Sequence, residues 1–396
     1  MTNKNEKIAI IAPYTTLHGE DKSNRFRSLA ALLAERRSVT LVTSRFDHAR
    51  KFMRSSEEAS SQDIPYSVDL IWEPGYRENI SIIRVVSHFI FIIGLFWWLI
   101  RRGNGFDKFI CAAPFSMSAI ICKAISRKKV VIDVQDIWPE AFFMLAKNKS
   151  VKRLLRSTEV IAKVALKKSD AIISVSSEFS TRCTKLSGGM PAKTIYIGSE
   201  VSEELRRICR LSVRDSETIR VVYIGTVGSN YDIRRIAEAV INFNGDKKWE
   251  LIVVGDGPML PDMVRRFSDH NQIKFMGSHS FDEMVRITSE CHFAINPIIP
   301  ESSITVTNKV SDYFAIGIPF ISGQNSSEVQ HLVSQVAPQL CYESGNAASF
   351  QSVLRWIEKM SDSEYVTLHE RIRRIGDESF MRRSSYLAYE ALIDSL

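Results

Sequence analysis

Residues 302–323 read SSITVTNKVSDYFAIGIPFISG, a turn joined to a helix joined to a strand. Thr305, Thr307 and Asn308 are candidate N-caps, because their side-chain oxygens accept the orphan N–H groups of a first helical turn. Val310, Phe314 and Ala315 supply an apolar face, Gly317 ends the helix, and Pro319 turns the chain into a strand at 320–322. Lys309 lies in the first turn, where the helix dipole disfavours a cation by roughly 0.3–1 kcal/mol. That placement makes sense if an anion such as a phosphate is shared between its ammonium and the free N–H groups. Asp312, three residues on and on the same face, is placed to accept bonds from sugar hydroxyls. The other reading is a surface Lys309–Asp312 pair worth about 0.2–0.5 kcal/mol; spacing alone leaves both open.

Outward from this stretch, the second half repeats strand, turn and helix. A strand at 220–224 runs into Gly225-Thr226-Val227-Gly228 and a helix from about 232, a turn whose backbone N–H groups can cradle a phosphate. Strands at 251–255, 273–276 and 291–296 follow, the second leaving through Gly277-Ser278-His279. The first half has the same grammar. A strand at 7–12 leads to a loop at 13–24 containing His18-Gly19, then to a helix at 25–36 that begins with Arg25. Further strands fall at 39–43, 68–72, 107–113, 129–134, 171–176 and 194–197. The expectation is an α/β chain of two Rossmann-like, doubly wound parallel sheets, with ligands beyond the carboxyl ends of the strands. The expected division is 1–195, a charged linker at 196–218, 219–375, and a last helix at 376–396 crossing back to the first domain.

The 396 residues suit two such cores, and 45% apolar with 24% charged residues is an ordinary globular composition. Charge is uneven: residues 1–195 hold 31 basic against 18 acidic side chains, residues 196–396 hold 21 against 27. A basic half points to an anionic partner. No nucleic-acid-binding motif is visible, so an anionic membrane surface ranks first. The segment 80–100, ISIIRVVSHFIFIIGLFWWLI, ends in Arg101-Arg102. It reads either as a core helix covered on both sides or, through residues 89–102, as a helix partly inserted at a lipid interface. The second reading is favoured, because twelve consecutive apolar residues exceed one core-facing stripe. Lys147, Lys149, Lys152, Arg153 and Arg156 could add contacts to anionic lipid at about 1 kcal/mol each. Six scattered cysteines without a Cys-x-x-Cys pair argue against zinc and for buried thiols in a reducing compartment. The start MTNKNEKIAIIAP lacks a leader's apolar core, and a cytoplasmic location is expected.

At 133–140 the chain reads DVQDIWPE, placing Asp136 just past a strand and before a helix-opening proline. This motif, together with Asn308-Lys309, Asp312-Tyr313 and Ala315-Ile316-Gly317-Ile318-Pro319, resembles the retaining glycosyltransferases of family four, which have the GT-B fold. Within that family it is most similar to members building bacterial O-antigen, capsule and exopolysaccharide. The resemblance implies two domains facing across a cleft, the second binding a nucleotide sugar. It implies donor contacts at Gly225, Thr226, Gly228, Ser278, Asn308, Lys309 and Asp312, and an acceptor or diphosphate loop at His18, Gly19 and Arg25. Asp136 and Lys309 become the catalytic candidates. It further implies a polyprenyl-diphosphate-linked acceptor and a peripheral place on the inner face of the cytoplasmic membrane. The sequence departs from the pattern at Ile304, Gln135 and Thr226, where relatives carry Glu, His and Arg. No Asp-x-Asp motif occurs, so no metal and no cofactor is expected. A nucleotide-sugar epimerase of GT-B fold and an inactive membrane-bound scaffold remain as alternatives.

Overall fold

The computed structural model describes residues 6–17, 24–55, 64–78, 81–136, 149–208, 217–302 and 305–396, without the side chains of 82, 149–157 and 208. It divides into two compact units, Met1–Ile195 with Tyr386–Leu396, and Tyr196–Ser385.

Unit 1 runs β1 (Lys7–Ile11), α1 (Arg25–Ala34), β2 (Ser38–Ser44), β3 (Phe46–Asp47), β4 (Phe52–Met53), β5 (Ser67–Ile71) and α2 (Ile82–Arg102). It continues with β6 (Lys108–Ala113), α3 (Met117–Ser126), β7 (Lys129–Val134), α4 (Lys149–Lys168), β8 (Ala171–Ser174), α5 (Ser177–Ser187) and β9 (Ala192–Thr194). Seven strands form one sheet in the order β5-β2-β1-β6-β7-β8-β9, and every pairing is parallel. The strands are apolar nearly throughout because both faces are covered. Ala9 and Ile11 of β1 face the cluster that holds Phe91, Leu95 and Leu99 of α2. Ile8 and Ile10, on the opposite face, join Leu29 and Leu33 of α1 and Tyr386, Tyr389 and Ile393 of the last helix. Strand order reverses between β1 and β6, which makes the carboxyl ends of β1, β6 and β7 the place for a ligand.

Helix α2 settles one of the two readings of its sequence. Ser87, Phe91, Leu95 and Leu99, each four residues from the last, are buried against the sheet. The other side carries Val85, Phe89, Ile93, Phe96, Trp97 and Ile100, all exposed, Phe89 by 65% and Trp97 by 52%. The helix is therefore not a core helix covered on both sides.

Unit 2 begins with α6 (Glu203–Ile208), β10 (Thr218–Ile224), α7 (Ile233–Ile241), β11 (Lys248–Val254), α8 (Leu260–Phe267), β12 (Ile273–Gly277) and α9 (Phe281–Ser289). Then come β13 (Phe293–Asn296), α10 (Asn308–Ile316), β14 (Phe320–Ser322), α11 (Ser327–Val336), α12 (Ala347–Glu358) and α13 (Asp362–Ile375). Its parallel sheet has the order β12-β11-β10-β13-β14, again doubly wound, with the reversal between β10 and β13. The described part of 196–218, expected as a linker, lies within this unit. Tyr196 donates to Glu328 and Arg206 to the carbonyl of Ala315, which anchors the segment. The short hairpin β3–β4 had no signal in the sequence, and the strand expected at 194–197 is β9, two residues earlier. Residues 376–385 stay with unit 2, and the last helix, Arg382–Asp394, joins unit 1 only from Tyr386 on.

Candidate active site

In unit 2, the ends of β10 and β11 and the start of α10 build the site. Thr307 caps α10, its side chain accepting from the N–H of Val310, and Gly317 closes the helix in the left-handed conformation at φ 82°. The capped helix leaves Asn308 exposed and Lys309 turned inward, only 7% exposed. The amine of Lys309 donates to the Tyr223 hydroxyl at 2.7 Å and lies 4.0 Å and 3.4 Å from the ring centres of Tyr223 and Tyr231. Tyr223 in turn donates to the carbonyl of Thr226 at 2.5 Å. Among the described residues no carboxylate forms an ion pair with Lys309, so the surface-pair reading fails. Burial holds its pKa well below the usual lysine value, with Asp312 pulling weakly the other way.

The glycine turn lies directly against this lysine. Gly225 has φ 107°, and a Cβ there would sit 3.7 Å from the Lys309 amine. The next loop packs beside it. Gly225 N–H donates to Val254, Val227 N–H to Asp256, and a Cβ on Gly255, at φ 144°, would stand 2.0 Å from the Gly225 carbonyl oxygen. Only glycine at 255 lets the two turns approach so closely. Tyr313 ties the strands behind them, donating to Ile295 and accepting from the N–H of Ile224.

The structure thus gathers Gly225, Thr226 and Lys309 of the expected donor residues, with Gly228 further along the same turn. Asp312 is half-buried and accepts from Ser199 at 2.6 Å, a partner the sequence did not suggest. Ser278 is exposed just past β12. Of the two tyrosines beside Lys309, Tyr223 escaped the sequence reading, while Tyr231 stands near the position where relatives carry a diphosphate-binding Lys. Tyr223 sits in an apolar strand and reads as core, and Tyr231 sits in a loop; only their proximity to a buried cation gives them meaning.

In unit 1, Asp136 is exposed immediately beyond β7, on the rim of an apolar cavity of about 240 Å3. His18, Gly19 and residues 137–140 lie outside the described residues. Arg25, expected to reach acceptor or diphosphate, is 3% exposed. Its Nε donates to Asp133 at 2.8 Å and its Nη1 to the Ile195 carbonyl at 3.1 Å. The first acid of the 133–140 motif is therefore the partner of a buried arginine, and the guanidinium charge is largely committed inside the fold. Arg25 still borders a smaller cavity of about 130 Å3 with Thr15, Asn24 and Gln135. Gln135, standing where relatives carry a histidine, is half-buried, and among the described residues its amide nitrogen has no hydrogen-bond partner. Nearby, Tyr14 lies 2.8 Å from His88 Nε2, and His48 lies 3.0 Å from the buried carboxylate of Glu73. Burial pushes the His88 pKa down to about 4, which keeps the imidazole neutral at pH 7. Among the described residues no three His, Cys, Asp or Glu side chains gather as a metal site.

Comparison with known proteins bears on the fold and on unit 2. Residues 218–359 match the family model for glycosyl transferases group 1. No protein of curated function matches the chain by sequence. A sucrose-phosphate synthase from Thermosynechococcus elongatus superposes with TM-score 0.69 at 14% identity, covering 98% of both chains. The lipopolysaccharide outer core galactosyltransferase WaaB, in its apo form, gives 0.63 at 13%, covering 98% of this chain and 100% of its own. WaaG, a glycosyltransferase involved in lipopolysaccharide biosynthesis, gives 0.61 at 13%, covering 96% and 98%. The fold is GT-B, and unit 2 carries a glycosyltransferase group 1 domain. Residues 218–359 thus carry a domain of the glycosyl-transferring class.

Proposed function

We propose that this enzyme moves a sugar, with retention of anomeric configuration, from a nucleotide-sugar donor to a polyprenyl-diphosphate-linked saccharide during assembly of a bacterial surface polysaccharide such as O-antigen or capsule. The observation that carries the donor half is Lys309. Burial disfavours the charged form of Lys309, and a diphosphate set between Lys309, the N-terminus of α10 and the turn at Gly225 would restore that charge as its partner. These groups meet the charge that develops on the leaving diphosphate, and no metal is required of them. The departing phosphate takes the acceptor hydroxyl's proton on the same face, and Asp136 positions that hydroxyl or the donor sugar. The outward apolar face of α2, with Trp97 and the arginines at 101 and 102 at its end, supports residence on the inner face of the cytoplasmic membrane. An epimerase has no use for that face.

The test is a transfer assay. Purified enzyme, a panel of nucleotide sugars and a prenyl-diphosphate-linked N-acetylhexosamine are incubated, and the product is read by mass and by anomeric proton coupling. One donor should give a lengthened lipid-linked saccharide with the donor's own anomeric configuration. Free-sugar epimers, or an inverted product, would overturn the reading.

A further inference from the structure

The apolar cavity of unit 1 lies where β6 and β7 end, roofed by α2, α3, α4 and α5. Val85, Phe115, Val134, Ile161 and Leu186 form its walls, and its polar edge holds His88 and Asp136. Apolar cavities of roughly 150 Å3 stay dry and accept a benzene-sized hydrocarbon. At about 240 Å3 this one has room for a larger branched fragment. Its position also matters. Val85 belongs both to the cavity wall and to the outward face of α2, where it is 52% exposed beside Phe89. A hydrocarbon chain resting on that face can therefore enter without crossing water.

We infer that this cavity seats the head-proximal branched hydrocarbon of the prenyl diphosphate carrier, so that the acceptor is held by its lipid as well as its sugar. The inference rests on the lipid-linked acceptor proposed above. The cavity places the carrier's first units beside Asp136, and the remaining chain lies along α2.

A diazirine-bearing farnesyl diphosphate is the probe, used on the full chain with cross-linked peptides mapped by mass spectrometry. Labels should fall on α2, α4 and α5 at the cavity. Unlabelled farnesyl diphosphate should displace the probe, while inorganic diphosphate and dodecyl phosphate should not. Ala162→Trp and Leu186→Trp each fill the cavity and should cut labelling by about tenfold or more. A cooperative melt and an unchanged nucleotide-induced stabilisation of unit 2 show that these variants are folded. Labels elsewhere, labelling that survives both substitutions, or equal displacement by dodecyl phosphate would overturn the inference. The lipid-acceptor reading is tested apart, by transfer. If both variants use the prenyl-linked acceptor with unchanged KM, the cavity assignment is wrong and that reading stands. Equal transfer to a water-soluble acceptor would sink the reading itself.

Discussion

Replacing Lys309 by methionine separates a structural lysine from a ligand-binding one. The substitution keeps most of the stem's volume and removes the amine. In the empty protein the amine's hydrogen bond to Tyr223 is worth about 1 kcal/mol. Its two ring contacts add about 1–2 kcal/mol, and only when it is protonated. Against these, removing the amine removes a polar group whose burial is itself unfavourable by about 1–3 kcal/mol. Tyr223 keeps its bond to Thr226, so no hydroxyl is orphaned. Lys309→Met should therefore leave unit 2 as stable as before or slightly more so, a melting shift of a few degrees at most. Donor chemistry should respond quite differently. Losing one preorganised donor to the leaving group costs roughly 3–4 kcal/mol, or a hundred- to thousandfold in kcat. Differential scanning calorimetry of the empty protein and turnover of the variant are the paired assays. Destabilisation by several kcal/mol with kcat retained would make Lys309 a structural residue and not a ligand-binding one.

The same lysine predicts a pH signature. Its pKa is low in the empty site and would rise beside a diphosphate, so binding should take up protons between those two values and weaken as pH rises through them. Calorimetric titration in buffers of different ionisation enthalpy measures that uptake. Asp136→Asn should abolish transfer while nucleotide binding survives, and equal loss of both would exclude the positioning role. On α2, Phe89→Ser with Trp97→Ser should lower partition onto anionic phospholipid vesicles by at least about tenfold, since each aromatic contributes roughly 1.5–3 kcal/mol on burial; flotation assays read it. His369, packed against Tyr365, has its pKa pushed down from 6.5 to about 4 by burial, with Arg373 and His292 acting in the same direction. The unfolded chain then holds the extra proton between those values. Stability from this group is complete above pH 6.5 and is lost by about 3 kcal/mol as pH falls towards 4; His369→Phe should flatten that part of the acid melting curve.

Much of the fold was legible because the strands announce themselves. Runs such as KVVIDV and RVVYI are apolar on both faces, which only a doubly covered parallel sheet requires, and the glycine turns at their ends mark ligand positions. The helix 308–316 was readable from its cap and stop residues, and Lys309 stood out because it opposes the dipole. Its environment was not readable. Tyr223 and Tyr231 come from a core strand and a loop, and nothing local links them to a lysine some eighty residues on. The buried partner of Arg25 was equally unreadable: a basic residue beside a phosphate-type loop looks like a ligand contact, and Asp133, to which it donates, lies 108 positions away. The apolar run of α2 left two readings open until the sheet showed which stripe it covers.

The proposed function requires unit 2 to hold a nucleoside diphosphate at Lys309. The most direct test is thermal melting of the wild-type and Lys309→Met proteins against UDP, GDP, ADP and CMP, with the matching nucleosides as controls. A ligand at about a hundred times its dissociation constant stabilises by roughly 2.7 kcal/mol, a shift of several degrees. That shift is expected for one diphosphate, with little for its nucleoside and none in the variant. A wild-type protein indifferent to every diphosphate, or a variant that responds as strongly as the wild type, would contradict that expectation.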